Sequence, residues 1–217
     1  MFYRPEEGHG LPFDPFKAIV VPRPIGWIST LDAEGRANLA PYSFFNGCGD
    51  APPMVMFAQT GRKSRPEAIK DSVANIRATG EFATNMVTHA LAERMNATSG
   101  THPAGVDEFA QAGLAPAPCR TIAPPRVAEA PVALECRVVR ILDDLPSWRE
   151  HAFNIVVIGE VVGVHIDERY LTEEGRLDVL ALSPVARMGY KDYTSVTEKF
   201  EMDRPVVEPQ PEGAAKR

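Results

Sequence analysis

Apolar residues in this chain fall mostly into short runs separated by turn residues. Ile25 to Leu31 reads as a strand, Asp32-Ala33-Glu34-Gly35 as a turn, and Arg36 to Ala40 as the returning strand. Met54 to Gln59 is almost wholly apolar and predicts a third strand; Glu81 to Val87 predicts a fourth. Two longer runs follow, Val132 to Leu142 and Asn154 to Ile166. Gly159 and Gly163 in the second are natural places for a bulge or strong bend, as barrel closure requires. Helical signals lie between the strands. Ser64-Arg65-Pro66-Glu67 fits the capping-box pattern, Ile69, Val73 and Ile76 then share one helical face, and Gly80 is a stop. Thr88 is a candidate cap for a helix carrying Leu91 and Met95, and Asp107 to Ala112 predicts a short helix ended by Gly113. Short strands with helical insertions fit a barrel better than a βαβ array. No G-x-G-x-x-G follows a strand, which argues against a Rossmann domain.

Composition narrows the picture. The chain has 217 residues, 44% hydrophobic and 24% charged, an ordinary size for a single β-barrel domain. Three parts are expected: a polar arm over residues 1–16, a barrel domain over 17–202, and a disordered tail over 203–217, rich in Pro, Glu and Ala. A net charge of -6 argues against nonspecific nucleic-acid binding, which needs a basic surface. The twenty prolines cluster in connections such as Pro116-Ala117-Pro118 and Pro124-Pro125, implying sheet edges and stiff loops. Cys48, Cys119 and Cys136 show neither zinc spacing nor C-x-x-C, so no metal site is expected and a reducing compartment is the default. Cys136 lies in an apolar strand and reads as core. With no apolar run at Met1 to Pro5 and no bilayer-length segment, the expectation is a cytoplasmic protein without membrane contact.

The candidate chemistry is concentrated in two segments. Asn38 to Asn46 is a strand-like stretch broken by Pro41, which removes a ladder donor and so marks an edge or a strand end. A ligand can use such an edge, because its backbone groups lack strand partners, and Tyr42, Phe44 and Phe45 offer flat apolar faces. Gly61-Arg62-Lys63-Ser64 follows, a basic loop just before the expected helix N-terminus, where free N–H groups and the dipole favour an anion. Together they suggest a phosphorylated, ring-bearing cofactor against a sheet. No nucleophilic constellation stands out: G-x-S-x-G is absent, and His9, His89, His102, His151 and His165 are scattered and read as structural or solvent-facing. That is compatible with an enzyme whose bound cofactor carries the chemistry.

These segments resemble the flavin reductase-like family, whose domain is the FMN-binding split barrel. The matching residues are Arg23-Pro24-Ile25-Gly26-Trp27-Ile28-Ser29-Thr30, Asn38 to Asn46, Gly61 to Ser64, Gly80-Glu81-Phe82-Ala83-Thr84-Asn85, Val157-Ile158-Gly159-Glu160-Val161 and Arg187-Met188-Gly189-Tyr190. The resemblance runs from about Asp14 to about Tyr193 and implies a mainly β split barrel with helical insertions. It implies that Ser29, Thr30, Arg62, Lys63 and Ser64 surround the FMN phosphate, and that Asn38, Leu39, Ala40, Pro41, Tyr42, Ser43 and Phe44 run along the isoalloxazine and ribityl chain. It adds Asn85 as a polar contact, Trp27 as core or flavin wall, and Tyr190 and Tyr193 as groups closing the site from a second subunit of a homodimer. The implied activity is NAD(P)H-dependent flavin reduction, with a monooxygenase or other acceptor taking the electrons. The alternatives are an FMN-retaining carrier fed by a protein electron donor, a related small-molecule oxidase, and a flavin-binding module without catalysis. The chain departs from the family pattern in two places. Ser64-Arg65-Pro66 follows Arg62-Lys63 where Asp and then Ser or Thr are common, and Phe153-Asn154-Ile155 stands where many members carry a histidine.

Overall fold

The computed structural model describes residues 1–61, 69–100, 106–148 and 153–206. Within them lie twelve strands: β1 (Arg23–Pro24), β2 (Gly26–Leu31), β3 (Ala37–Tyr42), β4 (Phe45–Asp50), β5 (Pro53–Gly61), β6 (Glu81–Asn85), β7 (Pro116–Ala117), β8 (Arg126–Val127), β9 (Val132–Leu142), β10 (Phe153–Ile166), β11 (Val185–Gly189) and β12 (Asp192–Ser195). The α-helices are α1 (Phe16–Ile19), α2 (Asp71–Thr79), α3 (Ala92–Ala97), α4 (Glu108–Gln111) and α5 (Val179–Leu182).

Seven strands form one antiparallel sheet in the order β3-β2-β6-β9-β10-β5-β4. Its two edge strands, β3 and β4, are consecutive in sequence, and only Ser43 and Phe44 link them. A two-residue link cannot cross a flat seven-stranded sheet, since neighbouring strands lie about 4.8 Å apart. The sheet must therefore curl until its edges approach, leaving one open seam: a split barrel. Pro41 sits on the edge strand β3, opposite Trp27, where its missing N–H costs no interior ladder bond. The curl is concentrated where β10 pairs with β9, at register shifts beside Gly159 and between Val161 and Gly163. A second sheet, β1-β11-β12, lies beside the barrel.

β2 is buried on both faces, which explains its continuous apolar run. Trp27 and Ile28 both have no exposed surface. Trp27 packs with Leu39, Leu91, Met95 and Phe109, and its indole N–H donates to Thr98 Oγ1 at 2.9 Å. Ile28 faces Phe57, Phe82, Cys136 and Ile155, a cluster that Val73 and Ile76 of α2 complete. Each such side chain contributes about 1.5–3 kcal/mol on full burial. Trp27 and Cys136 are thus core.

Several expectations change. The helix expected from Ser64 starts at Asp71, with Lys70 as N-cap in an extended conformation (ψ 148°) and without a side-chain cap. A tie to the sheet acts there: the Lys70 N–H donates to Gln59 Oε1 at 3.1 Å, which holds the backbone extended at Lys70. The expected capping box, Ser64 to Glu67, lies outside the described residues. Gly80 ends the helix as expected, left-handed at φ 72°. Thr88 makes no side-chain cap; a 3-10 turn, His89–Leu91, runs into α3 instead. Asp107 does cap α4, accepting the Ala110 N–H. Three further strands were not expected from the apolar pattern: β4 reads FNGCGD and is largely exposed, β11 reads VARMG and is only five residues long, and β12 is short and polar.

Candidate functional site

The open seam is lined by a groove of about 410 Å³. Pro41, Tyr42, Ser43 and Phe44 form its floor as the chain passes from β3 to β4, with Ala58 and Thr60 of β5 beside them. The arm supplies Phe13, Asp14 and Lys17, and the second sheet supplies Arg23, Arg187, Gly189 and Tyr190. Gly189 is required where α1 crosses β11. Its φ is 106°, and a Cβ there would lie 2.7 Å from the Ala18 Cα.

Among the described residues, four cations face this groove, Lys17, Arg23, Lys70 and Arg187, against one carboxylate, Asp14. Arg23 is 6% exposed and is fixed by the carbonyls of Lys17 and Val20, which both accept from its Nη1. Its guanidinium lies 5.5 Å from the Phe44 ring centroid, and its buried Nε has no hydrogen-bond partner among the described residues. Burial, then the nearby Arg187 charge, lower its pKa. The Lys70 ammonium stands 5.0 Å from the Tyr42 ring centroid, a contact worth about 0.5–2 kcal/mol. Burial, then Lys17, lower the Lys70 pKa as well. Cations that depress one another's pKa gain by admitting an anion. The groove therefore fits an anionic ligand with a flat apolar part: an unpaired buried donor and crowded cations for the charge, aromatic faces for the ring.

A larger cavity of about 1040 Å³ adjoins it across Pro41, Ser43, Lys70 and Arg187. Its walls come from α3 (Ala92, Glu93, Met95, Asn96) and from Lys191, Tyr193 and Thr194. Arg187 lies 4.4 Å from the Tyr193 ring centroid and donates to the Tyr190 carbonyl.

The sequence-predicted residues separate into three groups. Pro41, Tyr42, Ser43 and Phe44 line the groove. Ser29, Thr30, Asn38, Leu39 and Asn85 are buried. Ser29 Oγ donates to the Pro125 carbonyl at 2.6 Å, Thr30 Oγ1 accepts from Asn75 Nδ2 at 3.0 Å, and Asn38 Nδ2 donates to Ser72 Oγ at 2.9 Å. The Leu39 N–H donates to Glu108 Oε2 at 3.2 Å. Asn85 donates to the Trp27 carbonyl and Ser29 Oγ and accepts the Val127 N–H. Ala40, half-buried on β3, packs against the Ile28 cluster. Arg62, Lys63 and Ser64 lie outside the described residues, but the chain leaves the groove wall at Thr60 and rejoins it at Lys70. At the missing-histidine position, Asn154 Nδ2 donates to the Pro146 carbonyl at 2.7 Å.

Sequence reasoning missed Lys17, Lys70 and Phe13. A lone lysine at a helix cap carries no signal, and Phe13 sits in a polar arm. Arg23 and Arg187 stood inside recognisable motifs, yet only the second sheet packed on the barrel shows that both face one groove.

A barrel open at one seam, with a cationic and aromatic groove along it, is a split barrel. The chain belongs to the flavin reductase like domain family, whose model matches residues 19–183. An uncharacterized protein of Deinococcus radiodurans is 40% identical over 194 residues, covering 86% of this chain and 82% of its own. Nitrilotriacetate monooxygenase component B from Bacillus cereus superposes with a TM-score of 0.82 at 28% identity, covering 93% of this chain and 98% of its own. The 2-nitrobenzoate 2-nitroreductase of Pseudomonas fluorescens does so with a TM-score of 0.76 at 31% identity, covering 90% and 91%.

Proposed function

We propose that the seam groove binds FMN and that the protein is an NAD(P)H-dependent flavin reductase, acting as a cytoplasmic homodimer. The observation that carries this reading is the convergence of Lys17, Arg23, Lys70 and Arg187 on a groove floored by the Pro41–Phe44 edge. Bound there, FMN would supply the redox chemistry of hydride acceptance. The residues do the rest. The connection bearing Arg62, Lys63 and Ser64, bracketed by Thr60 and Lys70, receives the terminal phosphate. Pro41 to Phe44 lie along the ring and ribityl chain with backbone groups and aromatic faces. Ser29, Thr30, Asn38, Leu39 and Asn85 support that edge from behind by their internal hydrogen bonds. The adjoining cavity takes the reducing nucleotide, whose phosphates match Arg187 and Lys191. Only positioning is then required, with reacting atoms held about 3–3.5 Å apart. The related monooxygenase component B supports a role in handing reduced flavin to a partner enzyme.

The test is anaerobic mixing of the FMN-loaded protein with excess NADH, and separately with NADPH, while flavin absorbance is followed. Bleaching faster than that of free FMN, with turnover when FMN is added, is the expected result. If neither nucleotide reduces the bound flavin while dithionite does, the reductase reading fails and an FMN-retaining carrier takes its place.

A further inference from the structure

Away from the groove, Cys119, Glu135 and His165 bring a thiol sulfur, a carboxylate oxygen and an imidazole nitrogen within 4.8 Å of one another. Each comes from a different segment: the loop between β7 and β8, strand β9 and strand β10. Glu135 is 1% exposed. Its Oε1 accepts the Arg120 N–H at 2.7 Å, and its Oε2 accepts the Thr121 N–H at 2.6 Å and the Thr121 hydroxyl at 2.5 Å. His165 Nε2 contacts Oε1. Space for this carboxylate is made by Gly163, paired with Glu135, where a Cβ would come within 3.0 Å of the Glu135 Cδ and 3.2 Å of Oε2.

We propose that Cys119, Glu135 and His165 form a binding site for a zinc-class divalent ion. The donor set is the mixed S, N, O combination that zinc accepts, three protein ligands leaving a fourth position for water. At ordinary zinc bond lengths, tetrahedral donors stand about 3.4–3.7 Å apart. The cluster must therefore contract slightly overall while the His165–Glu135 contact opens to admit the ion. The charges balance: a Cys119 thiolate and the Glu135 carboxylate neutralise the dication, and the thiol proton leaves to solvent. The Thr121 and Arg120 donors orient the carboxylate as partners of a metal ligand do. Cluster spacing in sequence could not reveal such a site, since its ligands come from three separate segments. Bound there, the ion ties the β7–β8 loop to the barrel wall.

The test uses flavin-loaded protein treated with a chelator, in a Cys48→Ser background that removes the exposed thiol. Titration with Co²⁺ is expected to give one equivalent per chain, with a thiolate-to-metal charge-transfer band and tetrahedral ligand-field bands that Zn²⁺ abolishes. Cys119→Ser and His165→Gln should each remove the charge-transfer band or weaken binding beyond the about 10–100-fold that losing an outer partner costs. Flavin content should not change. In protein without those two substitutions, Zn²⁺ should protect Cys119 from alkylation, read by mass spectrometry. Absence of the band, its survival in Cys119→Ser, or undiminished alkylation of Cys119 at saturating Zn²⁺ overturns the proposal.

Discussion

Lys70 caps α2, holds Gln59 through its backbone N–H and places its ammonium over Tyr42 at the groove. Its backbone role survives substitution; its charge does not. Lys70→Met should therefore leave the fold intact while weakening FMN. A charge-assisted hydrogen bond to phosphate is worth about 1.5–3 kcal/mol, so roughly a ten- to hundredfold loss of affinity is expected. Riboflavin, lacking the phosphate, should be much less affected. The same contrast is expected for Arg62→Ala and Lys63→Ala, and parallel titrations with both ligands read it. Equal losses for FMN and riboflavin would remove these cations from the phosphate site. Asn85 makes the opposite case. Its buried side chain joins β2, β6 and β8. Asn85→Ala leaves the Val127 N–H and Trp27 carbonyl without their partner and should lower stability by about 1–3 kcal/mol per orphaned group, read as a lower urea midpoint.

At the scale of elements, α1 and β11 decide how the groove is walled. Arg23 reaches back to the Lys17 and Val20 carbonyls, and Ala18 lies directly against Gly189. Gly189→Ala meets the Ala18 backbone rather than a flexible side chain, so the arm must lift. The expected outcome is faster proteolysis within residues 1–20 and weaker FMN binding, with the denaturation midpoint little changed because the barrel core lies elsewhere. Unchanged proteolysis together with unchanged FMN affinity would show that the arm is not part of the groove wall. The late start of α2 belongs to this scale too. Helical periodicity across Ile69, Val73 and Ile76 is real, but one bond from Gln59 outweighs it at Lys70.

For the whole molecule, apolar surface gathers on the arm beside the groove: Phe13 is 72% exposed, Ile19 66% and Phe16 53%. A second copy covering this surface would enclose the groove mouth. Light scattering should then report about twice the 23.7 kDa chain mass. Replacing Phe16 and Ile19 by Glu should shift the protein towards monomer and weaken FMN binding with it. A monomer that keeps tight FMN would exclude a shared site. Among the described residues no helix is long and apolar enough to cross a membrane.

What the sequence determined by itself was local. Apolar runs marked β2, β5, β9 and β10: β2 is apolar almost throughout because both its faces are buried, while β5 and β10 bury alternate residues and β9 buries chiefly its first half. Gly80, Gly113 and Asp107 marked helix ends through backbone geometry and capping that operate within a few residues. Pro41 marked an edge because it lacks a donor. Six motifs in order, from Arg23–Thr30 to Arg187–Tyr190, together identified the family. Tertiary structure alone decided the rest. β4 carries no apolar pattern and is a strand only because β5 supplies its hydrogen bonds. The sheet closes on itself because Ser43 and Phe44 must span from one edge to the other. Lys17, Arg23, Lys70 and Arg187 form one cationic wall, and Cys119, Glu135 and His165 one cluster, only after curling and packing bring distant segments together. Those juxtapositions arise from non-local contacts, and no local pattern of residues encodes them.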